Sequence, residues 1–357
     1  MTRPSILVMA GGTGGHIFPG LAVAEYLRIC GWNVSWLGNQ NGMEYRLVKS
    51  CDFPFEAVEF GGLRGKGLKA KLMLPLNLMR ACFQSWKIMY RIKPSVVLGM
   101  GGYITFPGGL VSKLLRCPLV LHESNSVAGS ANRALAKISM RTLTGFPNTM
   151  PHAEWVGNPI REEFDRIQAP ALRYEQRQGP LSILVVGGSL GATALNENIP
   201  AALALISKEA RPKVIHQAGD KHLADLQTRY AELGVEADVR PFIDDMPSAY
   251  AQADLVICRA GAMTVSELSA CGVASCLIPF PFAIDDHQTA NAKFLADADA
   301  AVLLPQQSLN PQDLALMIQN FNRADLKVMA LRAYALAKPH ATQRVAEICA
   351  DCAGVGV

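Results

Sequence analysis

The chain has 357 residues, of which 50% are hydrophobic and 18% are charged, and its formal net charge is +4. This length and balance are typical of two globular domains and exclude a disordered or low-complexity chain. The nine cysteines are odd in number and scattered, which argues against a disulfide framework. No run of 18 apolar residues predicts a membrane-spanning helix, so we expect a protein that is cytosolic or bound to a membrane face.

The first half of the chain alternates apolar segments with glycine turns and helical stretches. Apolar segments within 6–10, 33–38, 95–102 and 118–124 predict strands that are covered on both faces, as in a parallel sheet. A helix is expected after the first strand, from about Pro19 to Cys30.

The pattern of strand, glycine turn and helix restarts at residue 181. Strands are predicted within residues 181–192, 213–219, 237–243, 253–261 and 273–281. Two successive βαβ series predict an α/β fold of two doubly wound, Rossmann-like domains. We place their boundary near 159–170. The segment from about Pro339 is expected to be a helix that packs back on the first domain.

Three glycine turns follow predicted strands, at residues 11–16, 99–102 and 187–191. Such a turn directs backbone N–H groups and a helix N-terminus toward a phosphate or another anion. Close packing alone also demands glycine, and that alternative stays open for each turn. Three turns at equivalent strand ends favour a shared ligand site.

Two familiar nucleotide sites are disfavoured at these turns. The first turn does not match the dinucleotide pattern, since Ile17 stands where its third glycine belongs, and the second strand ends in Asn39 and Gln40 without an acidic residue. No turn is followed by Gly-Lys-Ser/Thr, as a P-loop requires. A nicotinamide enzyme and a P-loop ATPase therefore fit poorly.

Polar residues at the strand ends supply candidates for catalysis. His16 follows the first glycine turn, where it could act as a base or orient a hydroxyl, and a helix-capping role is the alternative. The segment 122–125 (HESN) stands at the carboxyl end of a strand, where open α/β sheets place ligands, although a solvated loop would look similar.

Two further segments lie at strand ends of the second half. In 259–267, small residues permit a ligand to approach the backbone, and Glu267 could reach a ribose diol or be an ordinary surface acid. Asp285, Asp286 and His287 are adjacent in the chain, and adjacent residues rarely share a metal, so we expect no metal site.

A basic, acid-free window extends from Phe60 to His122 and contains ten Lys and Arg residues. Within it, residues 72–91 place an apolar stripe on one helical face, with Arg80, Lys87 and Arg91 beside it. This pattern is typical of an interfacial membrane helix, the alternative being a helix that packs on its own sheet. Nucleic acid is a poorer fit, because the interleaved residues are mostly aliphatic.

Together these motifs resemble the MurG family of peptidoglycan glycosyltransferases. The matching segments are GGTGGHIFPG (11–20), FGGLRGKG (60–67), VVLGMGGY (96–103), HESN (122–125), GNPIR (157–161), GGSLGA (187–192), RAGAMTVSEL (259–268) and PFPFAIDDHQTANA (279–292). They span nearly the whole chain in one order. One departure is Ser124, where the family commonly has Gln, and this puts a secondary contact in doubt.

The resemblance implies a GT-B glycosyltransferase that inverts the anomeric centre without a bound metal or other cofactor. The donor would be UDP-N-acetylglucosamine. The acceptor would be undecaprenyl-diphospho-muramoyl-pentapeptide (lipid I), and the product the β-1,4-linked lipid II. The implied partners are these substrates, an anionic membrane surface and other cell-wall synthesis proteins. The implied location is peripheral, at the cytoplasmic face of the bacterial plasma membrane.

The resemblance also implies a domain plan: residues 1–162 bind acceptor and membrane, 163–338 bind the donor, and 339–357 form the returning helix. Leu76 and its neighbours would insert into the membrane. The complete insertion patch is Leu72, Leu76, Met79 and Phe83. His16 is the expected catalytic base or orienter, and Glu123 is a second candidate base.

Substrate contacts implied by the resemblance come from both domains. The residues are Thr13, Gly14, Gly15, Asn125, Arg161, Ser189, Ile243, Ala262, Met263, Thr264, Val265, Ser266, Glu267 and Gln288. Residues 13–15 would line the diphosphate side, and Asn125 would meet the sugar. Arg161 and Ser189 would hold phosphate, and the backbone of Ile243 would face the uracil. Residues 262–266 would bring a helix N-terminus to the phosphates. Glu267 would bind the ribose hydroxyls and Gln288 the sugar hydroxyls.

Two other interpretations stay open from the sequence. One is another enzyme of the same fold, such as a UDP-N-acetylglucosamine 2-epimerase or a transferase with a soluble acceptor. The other is a non-catalytic UDP-sugar sensor at the membrane, which would bind the donor without turnover.

Overall fold

The computed structural model describes residues 3–61, 72–188 and 191–356. The chain forms two compact units: unit 1 is Met1–Arg161 with His340–Val357, and unit 2 is Glu162–Pro339. These limits lie one residue from the boundaries that the sequence predicts. Within the described residues, every strand pairing in both units is parallel.

Unit 1 contains a seven-stranded sheet in the order β3-β2-β1-β4-β5-β6-β7. The strands are β1 Ser5–Ala10, β2 Asn33–Gly38, β3 Phe55–Ala57, β4 Val96–Gly101, β5 Leu119–Glu123, β6 Arg141–Thr144 and β7 Glu154–Trp155. The strand order reverses between β1 and β4. In open α/β sheets, ligands bind at the carboxyl ends of the strands beside such a reversal.

Among the described residues of unit 1, six helices cover the two faces of this sheet. They are α1 Gly14–Ile29, α2 Met43–Ser50, α3 Leu74–Ile92, α4 Thr105–Leu114, α5 Ser130–Leu135 and α15 Ala341–Ala353. Alternate residues of β1 enter two different cores: Ile6 and Val8 pack with α1 and α15, whereas Leu7 and Met9 pack with α3, α4 and α5. The chain's last helix therefore completes the core of unit 1.

Unit 2 contains a six-stranded sheet in the order β10-β9-β8-β11-β12-β13. The strands are β8 Ser182–Val186, β9 Lys213–Gln217, β10 Asp238–Arg240, β11 Leu255–Cys258, β12 Ala274–Leu277 and β13 Val302–Leu303. The helices are α6 Glu162–Asp165, α7 Pro170–Glu175, α8 Thr193–Ala204, α9 Leu223–Glu232, α10 Met246–Gln252, α11 Ala262–Cys271, α12 His287–Ala296, α13 Pro311–Asn320 and α14 Arg323–Ala335. Here the order reverses between β8 and β11.

The predicted fold class, two doubly wound parallel-sheet domains, is confirmed. One helix boundary is wrong: α1 begins at Gly14, directly after the first glycine turn, and not near Pro19, which lies inside the helix. In the parts of the chain that the structure describes, no helix combines the length and hydropathy needed to cross a bilayer.

Candidate functional site

Two glycine turns of unit 1 pack against each other at the carboxyl ends of β1 and β4. A Cβ on Gly102 would lie 2.3 Å from the carbonyl oxygen of Gly11, and φ at Gly102 is +84°. A Cβ on Gly101 would lie 2.7 Å from Nδ1 of His16. Glycine is therefore required here by both backbone conformation and space. As a result, the His16 imidazole lies against the backbone at the end of β4.

His16 belongs to the first turn of α1. Thr13 is the exposed N-cap residue, and its carbonyl oxygen accepts the backbone N–H of His16 at 3.1 Å and of Ile17 at 3.3 Å. Gly14 and Gly15 complete this turn and are partly exposed. The structure thus brings the predicted residues 13–16 together at the helix N-terminus that faces the carboxyl edge of the sheet.

The sequence analysis missed Glu44, which is in contact with the same turn. Glu44 lies in the first turn of α2 and is 2% exposed. Its carboxylate accepts the backbone N–H groups of Gly12 and Asn39. The only signal in the sequence is the group of glycines that surrounds it, at 11, 38 and 42.

Glu123, at the end of β5, is the centre of a hydrogen-bond network. Oε1 accepts the backbone N–H of Asn125 at 3.0 Å and its side-chain Nδ2 at 3.4 Å. Oε2 accepts the backbone N–H of Gly129 at 3.0 Å and Nδ2 of Asn132 at 2.9 Å. Both oxygens of this buried carboxylate thus accept hydrogen bonds from the chain. These hydrogen bonds fix the loop between β5 and α5.

The preceding residue, His122, is fully buried and neutral. Its Nε2 donates to the carbonyl oxygen of Gly157 at 2.8 Å, and burial lowers the pKa of His122 to about 4. The neighbouring Ser124 is also buried, and its carbonyl oxygen accepts Nδ2 of Asn158 at 3.0 Å. His122 and Ser124 therefore anchor the strand end, while Asn125 is partly exposed.

The glycine turn of unit 2 follows β8 and is held by the neighbouring strand β9. Gly188 has φ +88°, and its carbonyl oxygen accepts Nε2 of Gln217 at 3.0 Å. A Cβ on Gly191 would lie 2.1 Å from the carbonyl oxygen of Ala218, which also accepts Nδ2 of Asn196 at 3.2 Å. The predicted phosphate contact, Ser189, lies outside the described residues.

Beside this turn, α11 begins at the carboxyl end of the adjacent strand β11. Gly261 is its extended N-cap, and residues 262–266 form the first part of the helix. The preceding carbonyl, that of Ala260, accepts Nδ2 of the fully buried Asn291 at 3.2 Å. The second glycine turn and the start of α11 therefore lie on neighbouring strands at the reversal point of unit 2.

Glu267, in the same helix, has a buried partner from α10. The Tyr250 hydroxyl is hydrogen-bonded to the Glu267 carboxylate, and burial together with this negative charge raises the pKa of Tyr250 well above its ordinary value. Tyr250 itself packs on Phe164, with ring centroids 6.1 Å apart. Tyr250, a buried residue of unit 2, therefore fixes the orientation of the Glu267 side chain.

Two polar side chains fix the loop that leaves β12. Arg259 donates to the carbonyl oxygens of Ile278 at 3.1 Å and Pro279 at 3.2 Å, and burial lowers its pKa. Oε1 of Gln288 accepts the backbone N–H of Phe280 at 2.9 Å. Gln288 is thereby placed beside the β12 exit, next to β11.

The remaining predicted positions lie elsewhere in the two units. Ile243 is buried and follows β10, and Arg161 is an exposed residue at the end of the main segment of unit 1. Asp285 and Asp286 have positive φ and precede α12. Among the residues that the structure describes, no group of three or more His, Cys, Asp and Glu side chains is arranged to hold a metal ion.

The apolar stripe of α3 faces away from its own sheet. Leu76, Met79 and Phe83 are 54%, 63% and 54% exposed, and Leu72, just before the helix, is also exposed. The core contact of α3 comes instead from its opposite face, through Ala81, Ile88 and Met89. The helix therefore packs on its own sheet, as the alternative predicted, but through this opposite face, and the apolar stripe itself is exposed.

The cations on α3 are partly neutralised by acids that precede the acid-free window. Arg80 pairs with Glu59 at 2.8 Å, and Arg91 pairs with Glu56. Lys87 lies 4.6 Å from the centroid of the Phe83 ring. The stripe is consequently apolar with a cation over its aromatic part, and less basic than the sequence window alone indicates.

Comparisons with known proteins agree with this architecture. The glycosyltransferase family 28 N-terminal domain matches residues 6–144, and the family 28 C-terminal domain matches residues 182–348. A crystal structure of Acinetobacter baumannii MurG covers 97% of this chain and 99% of its own, with a TM-score of 0.87 and 42% identity. The calicheamicin glycosyltransferase CalG4 covers 99% of both chains with a TM-score of 0.68, and its 14% identity supports the fold alone.

The relatives at higher identity share one description, UDP-N-acetylglucosamine–N-acetylmuramyl-(pentapeptide) pyrophosphoryl-undecaprenol N-acetylglucosamine transferase. The Polynucleobacter asymbioticus protein is 86% identical over 357 residues and is covered completely, as is this chain. The Cupriavidus necator protein is 60% identical over 354 residues, with 99% of each chain covered. This chain therefore belongs to the MurG family of N-acetylglucosamine transferases.

Proposed function

We propose that this chain transfers N-acetylglucosamine from UDP-N-acetylglucosamine to the C4 hydroxyl of the muramoyl sugar of undecaprenyl-diphospho-muramoyl-pentapeptide. The observation that carries the proposal is the identity of 86% over the full chain with a relative that is named for this activity. The two glycine-turn sites at the strand-order reversals support it, since each has the helix N-terminus that a phosphorylated substrate needs.

The reaction is a single inverting displacement. The C4 hydroxyl oxygen attacks the anomeric carbon of the donor sugar and forms the new C–O bond. The bond between that carbon and the β-phosphate oxygen breaks, and UDP leaves with the electron pair. The hydroxyl proton passes to a base, and the α-linked donor gives a β-1,4-linked product.

His16 is the proposed base on the acceptor side. It lies in the first turn of α1, against Gly101, at the edge where ligands bind in such sheets. Glu123 is less suited to take the proton, because both of its oxygens already accept hydrogen bonds from the loop that follows it. In this proposal Glu123 holds Asn125, which meets the sugar, and Thr13 to Gly15 line the diphosphate.

Unit 2 is the proposed donor site. The N-terminus of α11, residues 262–266, and the turn containing Ser189 would face the diphosphate. Arg161, at the end of the main segment of unit 1, is a separate proposed phosphate ligand. Glu267 would accept hydrogen bonds from the ribose hydroxyls, oriented by Tyr250. Ile243 would offer its backbone to the uracil, and Gln288 would bind the sugar hydroxyls.

The acceptor's lipid carrier requires that unit 1 works at a membrane surface. The exposed side chains Leu72, Leu76, Met79 and Phe83 supply an apolar patch on one face of α3. Such a patch inserts at the acyl boundary while nearby cations meet anionic headgroups. We place the chain at the cytoplasmic face of the plasma membrane as a peripheral protein, with other cell-wall synthesis proteins as partners.

The test is transfer of radiolabelled N-acetylglucosamine from its UDP donor to the lipid acceptor in detergent micelles, with and without EDTA. We expect label in the lipid phase under both conditions. Tight UDP binding without transfer would overturn the proposal. Release of N-acetylmannosamine would then identify a 2-epimerase, and no turnover at all would identify a sensor.

A further inference from the structure

The buried carboxylate of Glu44 joins two turns at the carboxyl edge of the unit 1 sheet. Oε2 accepts the backbone N–H of Gly12 at 3.3 Å, and Oε1 accepts that of Asn39 at 3.0 Å. Gly12 belongs to the turn after β1, and Asn39 directly follows β2. One side chain from α2 therefore fixes the first glycine turn to the neighbouring strand end.

Three glycines leave the space that this side chain occupies. A Cβ would lie 2.5 Å from Oε1 at Gly11, 2.3 Å from Oε2 at Gly42 and 2.9 Å from Cγ at Gly38. None of these three has a positive φ. Glycine is therefore required by side-chain volume and not by the backbone conformation. The Glu44 side chain fills the space at all three positions, together with Ile104 at Gly11 and Phe55 at Gly38.

The position also suits a negative charge. Gly12 lies two residues before the start of α1, and Glu44 is the second residue of α2, so the carboxylate lies near two helix N-termini. Each N-terminus carries a partial positive charge that stabilises an anion. In related sheets, the N–H groups of this turn commonly bind a ligand phosphate. Here the N–H of Gly12 is bound by the chain's own carboxylate.

We propose that Glu44 is a positioning residue for the acceptor half of the reaction. By holding Gly12, it fixes the turn that leads into α1 and so sets the place of His16 against Gly101. This inference rests on the proposed function, in which unit 1 receives the lipid acceptor. Glu44 acts through the turn and touches neither substrate.

The test compares Glu44→Gln with the unchanged chain in steady-state transfer, varying each substrate in turn. Gln has the same length, but its one carbonyl oxygen can replace only one of the two carboxylate oxygens, so either Gly12 or Asn39 loses its acceptor and the link between the two turns is broken. We expect kcat/KM for the lipid acceptor to fall by about tenfold or more, with the KM for UDP-N-acetylglucosamine changed by less than about twofold.

Two further variants keep the test decisive. Val48→Ala is the matched control, since Val48 is a fully buried residue of the same helix and its truncation loosens packing without touching the carboxylate. Gly42→Ala displaces the carboxylate without changing any charge, because the new Cβ would lie 2.3 Å from Oε2. Gly42→Ala should reproduce the selective fall in kcat/KM for the lipid acceptor. If Glu44→Gln fails to fold, Gly42→Ala alone tests the inference.

Acceptor kinetics of Glu44→Gln within twofold of the unchanged chain would overturn the inference. A loss no more selective for the acceptor than that of Val48→Ala would do the same. Absence of any transfer by the unchanged chain would instead overturn the proposed function, so the two failures are distinguishable.

Discussion

The glycine turns of the two units share a positive φ at their second glycine, but the side chains that hold them differ in charge. Gly12 after β1 and Gly188 after β8 have φ values of +92° and +88°. In unit 1 the residue that holds the turn is an anion, Glu44, which accepts an N–H group. In unit 2 it is a neutral amide, Gln217, which donates to a carbonyl group.

This difference shows that a glycine motif alone does not define a phosphate site. The side chain that holds the turn decides how much of its positive potential is left for a ligand. A carboxylate at Gly12 offsets part of that potential, whereas the Gln217 amide adds no charge. The comparison fits a division in which the nucleotide diphosphate binds unit 2 and the turn of unit 1 mainly positions His16.

Replacing His16 should give the largest effect, a loss of catalysis that is expected to leave UDP binding unchanged. We expect His16→Asn to lower kcat by roughly 10²- to 10⁴-fold, the usual contribution of a general base. UDP affinity, measured by calorimetry, should not change, because the proposed donor site is in unit 2. His152→Asn, at an exposed histidine of unit 1, is the control. A kcat within threefold of normal would remove His16 from the mechanism.

The second proposed difference between the units is membrane binding, which we assign to the exposed stripe of α3 in unit 1. Leu76→Glu combined with Phe83→Glu places two charges in the exposed stripe, and we expect binding to anionic vesicles to be lost in flotation assays. UDP binding should be retained. Leu172→Glu with Leu205→Glu makes the same change at exposed positions of unit 2 and should leave vesicle binding intact. Equal vesicle binding by the two double variants would contradict the assignment of the α3 stripe as the membrane-binding surface.

Each unit contains one buried histidine that should make it sensitive to acid. Burial lowers the pKa of His122 to about 4 and that of His216 to about 3. These values lie below the unfolded value near 6.5, so the stabilisation is complete above pH 6.5 and is lost as pH falls toward the folded pKa. By pH 5 each unit should lose about 2 kcal/mol.

Urea unfolding at pH 7.5, 6 and 5 measures this loss. His216→Gln should flatten the pH dependence of unit 2 and leave that of unit 1 unchanged. Unfolding midpoints that do not move between pH 7.5 and 5 would show that neither histidine stays neutral in the folded chain.

The smallest expected effect tests how Glu267 is oriented. Tyr250→Phe removes the hydroxyl that is bonded to Glu267 and should raise the KM for UDP-N-acetylglucosamine about fivefold, the value of one ordinary hydrogen bond. The preference for UDP over 2′-deoxy-UDP should fall as well. Tyr174→Phe is the control. It removes another buried hydroxyl, which donates to the backbone carbonyl oxygen of Asp254 at the opposite end of β11. An undiminished preference in Tyr250→Phe would mean that Tyr250 only fills space.

Local signals in the sequence predict much of this structure. Continuous apolar runs predicted β1, β4, β5 and the central strands of unit 2, because parallel strands are covered on both faces. The strands β3, β6, β7 and β13 were missed, since β3 (FEA), β6 (RTLT) and β7 (EW) contain polar residues and β13 is only two residues long.

The arrangement of the site depends on contacts that no local pattern encodes. In the sequence, Glu44 is indistinguishable from an ordinary acidic residue of a helix. Only the fold shows that it is buried and that it binds the turn after β1. Glu123 is a candidate base from its place at a strand end, and only the fold brings the donors of Gly129 and Asn132 to its carboxylate. For α3, the spacing predicted the stripe, but only the packing of Ala81 and Met89 shows which face meets the core.

The return of α15 to unit 1 has a consequence for the order of synthesis. Val345, Ile348 and Cys349 lie in the same core as the first strand, β1. The whole of unit 2 is made between these two parts, so the unit that emerges first from the ribosome is the last to be completed. Until then one face of its sheet lacks its final helix, and a nascent chain must keep that apolar face from aggregating.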